Sequence, residues 1–117
     1  MTKVYNGEIM IVRDGEEVTV MRGGSARVMS GGYASVMAGG RASVHDGGRV
    51  VVEAYGKAYI GTNGIAIVRD GGTATVYAGG YADIEAGALG IIEDGAGYNA
   101  EEGAIISRGT TLTLAVA

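Results

Sequence analysis

The chain has 117 residues, room for one domain, and a formal net charge of −4, which argues against a basic nucleic-acid-binding surface. It holds 23 glycines, yet 47% of its residues are hydrophobic, so a core is available. The absence of proline excludes collagen, and the absence of cysteine excludes disulfides, thiolate nucleophiles and Cys-based zinc sites.

Glycine recurs from Gly7 in steps of eight to Gly103, broken only by Tyr55 and Asn63. Five residues after each of these positions stands valine or isoleucine, from Val12 to Ile92, the column ending in Ala100 and Arg108. Two positions before it stands alanine at Ala26, Ala34, Ala42, Ala58, Ala66, Ala74 and Ala82. The consensus is the octad G-G-x-A-x-V-x-x. Its fourth and sixth positions share one face of a strand, while paired glycines supply the positive φ of a tight corner. A helix is excluded, because each interior glycine would cost it ~1 kcal/mol. Single short strands cannot bury their Ala/Val rows alone, so the octads stack into a single-domain, all-β solenoid. Ala42–Gly64 matches the stretch 24 residues on better than the stretch 16 residues on. Three strands per coil, a triangular prism of about four and a third coils and roughly 20 Å, is therefore expected.

In chain order, residues 1–22 form an N-terminal cap region in which the fourth position enlarges to Met10 and Val18. Residues 23–96 carry the regular octads. Residues 97–117 form an irregular last coil, with Tyr98 and Ile106 enlarged and Arg108 at an inward position, which predicts local distortion. Thr111–Ala117 keeps the parity, with Leu112, Leu114 and Val116 inward, and reads as a strand closing the end of the stack.

The repeats Gly31-Gly32-Tyr33-Ala34-Ser35-Val36 and Gly71-Gly72-Thr73-Ala74-Thr75-Val76 resemble the glycine-rich repeats of AIDA-type autotransporter passengers. The resemblance implies a secreted β-solenoid used in adhesion, and makes an excised passenger fragment one reading of the chain. The residues themselves point to the cytoplasm: Met1–Glu8 has no basic-then-apolar signal pattern, and no apolar run reaches the ~18–20 residues of a membrane span.

Catalysis is not expected, since His45 is alone and no G-x-S-x-G elbow or phosphate-binding loop occurs. No cofactor is expected. A 24-residue coil would stack Asp46, Asp70 and Asp94 on one corner; Asp before Gly is ordinary turn chemistry, and a cation between those carboxylates is the alternative. The same coil would stack Ile65 and Ile67 beneath Leu89 and Ile91 as an outward apolar patch. It would align Tyr33, Tyr59 and Tyr81 on a second face, as a partner surface or as strand-stabilising neighbours. Residues 61–117 hold two Lys/Arg against seven Asp/Glu, with an acidic surface at Asp83, Glu85, Glu93, Asp94, Glu101 and Glu102. These features predict a non-catalytic protein-binding solenoid that self-associates as a dimer through the patch. The rival is a small phage or mobile-element inhibitor that blocks a host defence protein through its acidic half.

Overall fold

The computed structural model describes residues 2–108 and 111–114, with backbone alone for Thr2 and for 111–114. Among the described residues fifteen strands follow one another with no helix between them. They are β1 (Thr2–Val4), β2 (Ile9–Val12), β3 (Glu17–Val20), β4 (Ser25–Val28), β5 (Tyr33–Val36), β6 (Arg41–Val44), β7 (Arg49–Val52) and β8 (Lys57–Ile60). The series continues with β9 (Ile65–Val68), β10 (Thr73–Val76), β11 (Tyr81–Ile84), β12 (Leu89–Ile92), β13 (Gly97–Ala100), β14 (Ile105–Arg108) and β15 (Thr111–Leu114). Strands β1, β3 and onward to β13 form one seven-stranded parallel sheet, the odd sheet. Strands β2 to β14 form a second, the even sheet, to which β15 adds antiparallel beside β14.

The register joins each residue to the one 16 places on: Ala34 to Val50, Ala58 to Ala74, Ala66 to Ala82. A coil therefore holds two octads, and the solenoid is a flat two-sided roll rather than a three-sided prism. The corners show why. In each, the first residue's carbonyl accepts from the N–H three residues on, as in Gly24 N to Met21 O at 2.9 Å and Gly56 N to Glu53 O at 2.9 Å. Such β-turns reverse the chain, whereas a triangular coil needs shallower bends. About seven coils then account for the 37 Å long axis, well beyond the 20 Å of a three-sided stack.

The two glycines of a corner do different work. The first has φ near +80°, for example +77° at Gly23, which the third position of this turn requires. The second has an ordinary φ but crosses close over the coil below: a methyl built on Gly24 would lie 2.5 Å from the Val4 carbonyl oxygen. Where no coil lies below, this position holds the large Glu8 and Glu16; above a coil it is glycine as far as Gly80 and then alanine at Ala88, Ala96 and Ala104. The Glu8 and Glu16 carboxylates accept from the Tyr5 and Arg13 N–H groups, both at 2.7 Å, and brace the first two corners. Tyr55 takes the first glycine's place with φ +65° and a 78% exposed side chain. A left-handed conformation costs a non-glycine residue ~1–2 kcal/mol. Tyr55→Gly is therefore expected to stabilise the fold by about 1 kcal/mol in urea denaturation, the gain being reduced by the freer unfolded chain.

Inside the roll, alternation delivers the predicted rows. Val20, Val28, Val36, Val44, Val52, Ile60, Val68 and Val76 are fully buried, and the alanine rows lie beside them. No polar or charged residue is buried among the described residues. Small side chains suit two sheets this close together. Where Gly90 leaves an inward gap, the Ile84 δ-methyl fills it, 2.8 Å from where a Cβ would stand. Met10 packs against the core at the N-terminal end. At the other end Arg108 does not distort its strand. β14 pairs regularly with β12, Arg108 stays exposed at the end of that strand, and its guanidinium sits 5.9 Å from the Tyr98 ring centre. A closing strand is present as β15; the inward placement of Leu112, Leu114 and Val116 lies outside the described residues.

Candidate functional site

Outward positions form columns up each face, one residue per strand. On the odd sheet one column runs Glu17, Tyr33, Arg49, Ile65, Tyr81, and its neighbour runs Thr19, Ser35, Val51, Ile67, Asp83. Three of the expected surface residues are thus neighbours, Ile65 and Ile67 on one strand and Tyr81 on the next, with Val51 beside Ile67; Tyr33 lies two strands away, beyond Arg49. Ile65, Ile67 and Tyr81 are 39%, 38% and 41% exposed, while Val51, although outward, is only 7% exposed among its neighbours. The Tyr81 hydroxyl donates to Asp83 Oδ1 at 3.5 Å. Burial of the phenol, then the charge of Asp83 and the hydrogen bond to it, hold the Tyr81 pKa above its ordinary value.

The 16-residue coil breaks up the other expected groupings. Leu89 and Ile91 lie on β12 of the even sheet, half-buried and across the roll from Ile65 and Ile67, so the four do not form one patch. Tyr59, on β8, likewise leaves Tyr33 and Tyr81 for the even face. Asp70 sits on the edge where odd strands turn into even ones, while Asp46 and Asp94 sit on the opposite edge, separated by the corners of Thr62 and Ala78. The carboxylate stack therefore does not exist. Among the described residues no group of three or more His, Cys, Asp or Glu side chains is placed to hold a metal ion. His45 is exposed on a corner of the second edge.

The acidic surface divides as well. Asp83, Glu85 and Glu101 line one recess with Ile67 and Asn99, Glu102 follows on the same edge, and Glu101 accepts from the Ala86 N–H at 3.3 Å. Glu93 and Asp94 occupy the opposite edge. Counting charge by halves of the sequence misses the arrangement, which is by face. The even face carries Arg27, Arg41 and Lys57 on consecutive strands, and no carboxylate points outward from it among the described residues. Eleven of the thirteen carboxylates stand on the two edges, leaving Glu17 and Asp83 on the odd face. One ion pair forms among the described residues, Arg69 Nε to Glu53 Oε2 at 3.8 Å along the first edge; being exposed, it contributes ~0–1 kcal/mol.

No family model and no curated protein matches the chain. Among solved structures it is similar to the "Crystal structure of TibC-catalyzed hyper-glycosylated TibA55-350 fragment", at 24% identity and a TM-score of 0.34. The match covers 80% of this chain and 44% of that one, so the chain spans less than half of the neighbour's length. The likeness is weak.

Proposed function

We propose that the chain is a non-catalytic protein-binding solenoid whose contact surface is the odd face, and that a second copy of the chain is its first partner. The observation that carries this reading is the outward cluster of Val51, Ile65, Ile67 and Tyr81 on the odd face, with Tyr33 beyond Arg49 in the same column. Aromatic and aliphatic anchors of this kind, ringed by polar residues, favour protein contacts. The cluster is also balanced in charge. Arg49 stands one coil before the isoleucines and Asp83 one coil after them. A two-fold axis lying in the face between Ile65 and Ile67 can set each of these charges against the other on a second copy. An inhibitor acting through all six carboxylates as one surface is disfavoured, because Glu93 and Asp94 fall on the edge opposite Glu85, Glu101 and Glu102.

Light scattering at micromolar concentration tests the proposal. The wild-type chain is expected at twice its chain mass, and Ile65→Lys/Ile67→Lys at the chain mass with an unchanged β-type circular dichroism spectrum. A monomeric wild type, or a double variant that keeps the wild-type assembly size, would refute it.

A further inference from the structure

We propose that the two ends of the solenoid are complementary to each other, and that β15 together with Arg108 forms a stop that keeps copies of the chain from joining head to tail. The argument rests on strand register. One coil advances one strand spacing, ~4.8 Å, and one octad advances half of that. At the N-terminal end β1 therefore projects half a spacing beyond β2, and at the C-terminal end β13 lies half a spacing short of β14. A second copy continuing the ladder would place its Thr2, Lys3 and Val4 against Tyr98, Asn99 and Ala100. That is the 16-residue pairing seen between β1 and β3 and between β11 and β13. Its β2 would then fall one spacing beyond β14, where β15 already lies.

The backbone on both ends is oriented for such a join. Gly97 N donates back to Gly80 O and Glu101 N back to Ile84 O, both at 2.9 Å, so by alternation Tyr98 and Ala100 point their amides and carbonyls off the end. At the other end Val4 O and Val12 O accept from Met21 N and Met29 N at 2.8 Å. Lys3, Ile9 and Ile11 accordingly present their backbone groups outward. Ile9, on β2, is 80% exposed. The second element of the stop is Arg108. It occupies the inward column held by valine or isoleucine in every earlier even strand, and an incoming Val12 would press its guanidinium into the core with no partner. Strand and charge together close an end whose hydrogen-bonding pattern is otherwise open.

The test uses the full chain carrying Ile65→Lys/Ile67→Lys, so that association through the odd face is not mistaken for joining at the ends. Arg108→Val removes the charge, and Thr111→Pro/Thr113→Pro removes the N–H groups that β15 offers to Arg108 and Ile106. Electron microscopy and sedimentation velocity are expected to show unbranched rods one solenoid wide for the combined variant. The parent and Arg108→Val alone are expected to stay at their original size. Wild-type chain, which carries the same β1 and β2 but keeps β15 beside β14, should shorten the rods at substoichiometric amounts. Adding Lys3→Pro/Ile11→Pro, which removes two outward N–H groups at the first end, should abolish them. A combined variant that keeps the parent's size overturns the proposal. So does association, in it or in the milder Arg108→Val/Thr113→Pro chain, that is indifferent to both wild-type chain and the two N-terminal prolines, whether or not the β-type spectrum survives.

Discussion

Ala42→Leu is expected to destabilise the protein by about 3 kcal/mol, the upper part of the usual range for inserting bulk into a packed core. Ala42 is 2% exposed, and its register partners above and below are Ala26 and Ala58, themselves buried. The equivalent row of the odd sheet holds Val50 between Ala34 and Ala66, and leucine, longer than valine, would push further into the facing sheet. The same reasoning makes Ala42→Ser milder, since it adds one atom. Thermal unfolding followed by circular dichroism reads the difference: the leucine variant should melt roughly 12 °C below wild type, at ~4 °C per kcal/mol for a chain of this size. An unchanged melting temperature would mean that the interior is not the dry, narrow column described above.

The second large effect concerns the corners. Gly24→Ala is expected to cost about 2 kcal/mol although alanine can adopt its backbone conformation, because the new methyl would meet the Val4 carbonyl at 2.5 Å and the Tyr5 carbonyl at 3.1 Å. Both obstacles are backbone, so relief requires the first coil to shift. Gly7→Ala makes the complementary case. Nothing lies within 4 Å of its added methyl, and its φ of +82° alone sets a cost of ~1 kcal/mol. Urea denaturation of the pair separates contact from conformation. Equal losses would show that close approach between coils is not what the second glycine serves.

Much of the architecture is legible in the octad. Two-residue alternation assigns Ala34, Val36 and their equivalents to the interior, and the paired glycines assign the corners. The size of the coil is not read correctly from sequence matches, because every octad shares one consensus and a few chance identities then decide between 16 and 24. Yet a physical signal is present. The second corner position must be small where a coil lies beneath: it holds Glu8 and Glu16 in the first two octads, then glycine from Gly24 to Gly80 and alanine at Ala88, Ala96 and Ala104. Those first two octads are one coil. All the surface groupings depend on this choice, which is why Ile65 and Ile67 keep their association with each other and lose Leu89 and Ile91, and why Tyr59 separates from Tyr33 and Tyr81. The basic stripe of Arg27, Arg41 and Lys57 is equally invisible until alternate octads are assigned to opposite sheets.

The uninterrupted frame has a consequence for how such a gene can lengthen or shorten. Duplicating or losing sixteen residues adds or removes a whole layer and leaves both façades in place. A change of eight preserves every glycine, every alanine and every valine of the pattern, yet exchanges front for back in all that follows. An event that looks silent at the level of the motif would thus redistribute the molecule's chemistry between its two sides, and selection on either side would act in units of two repeats.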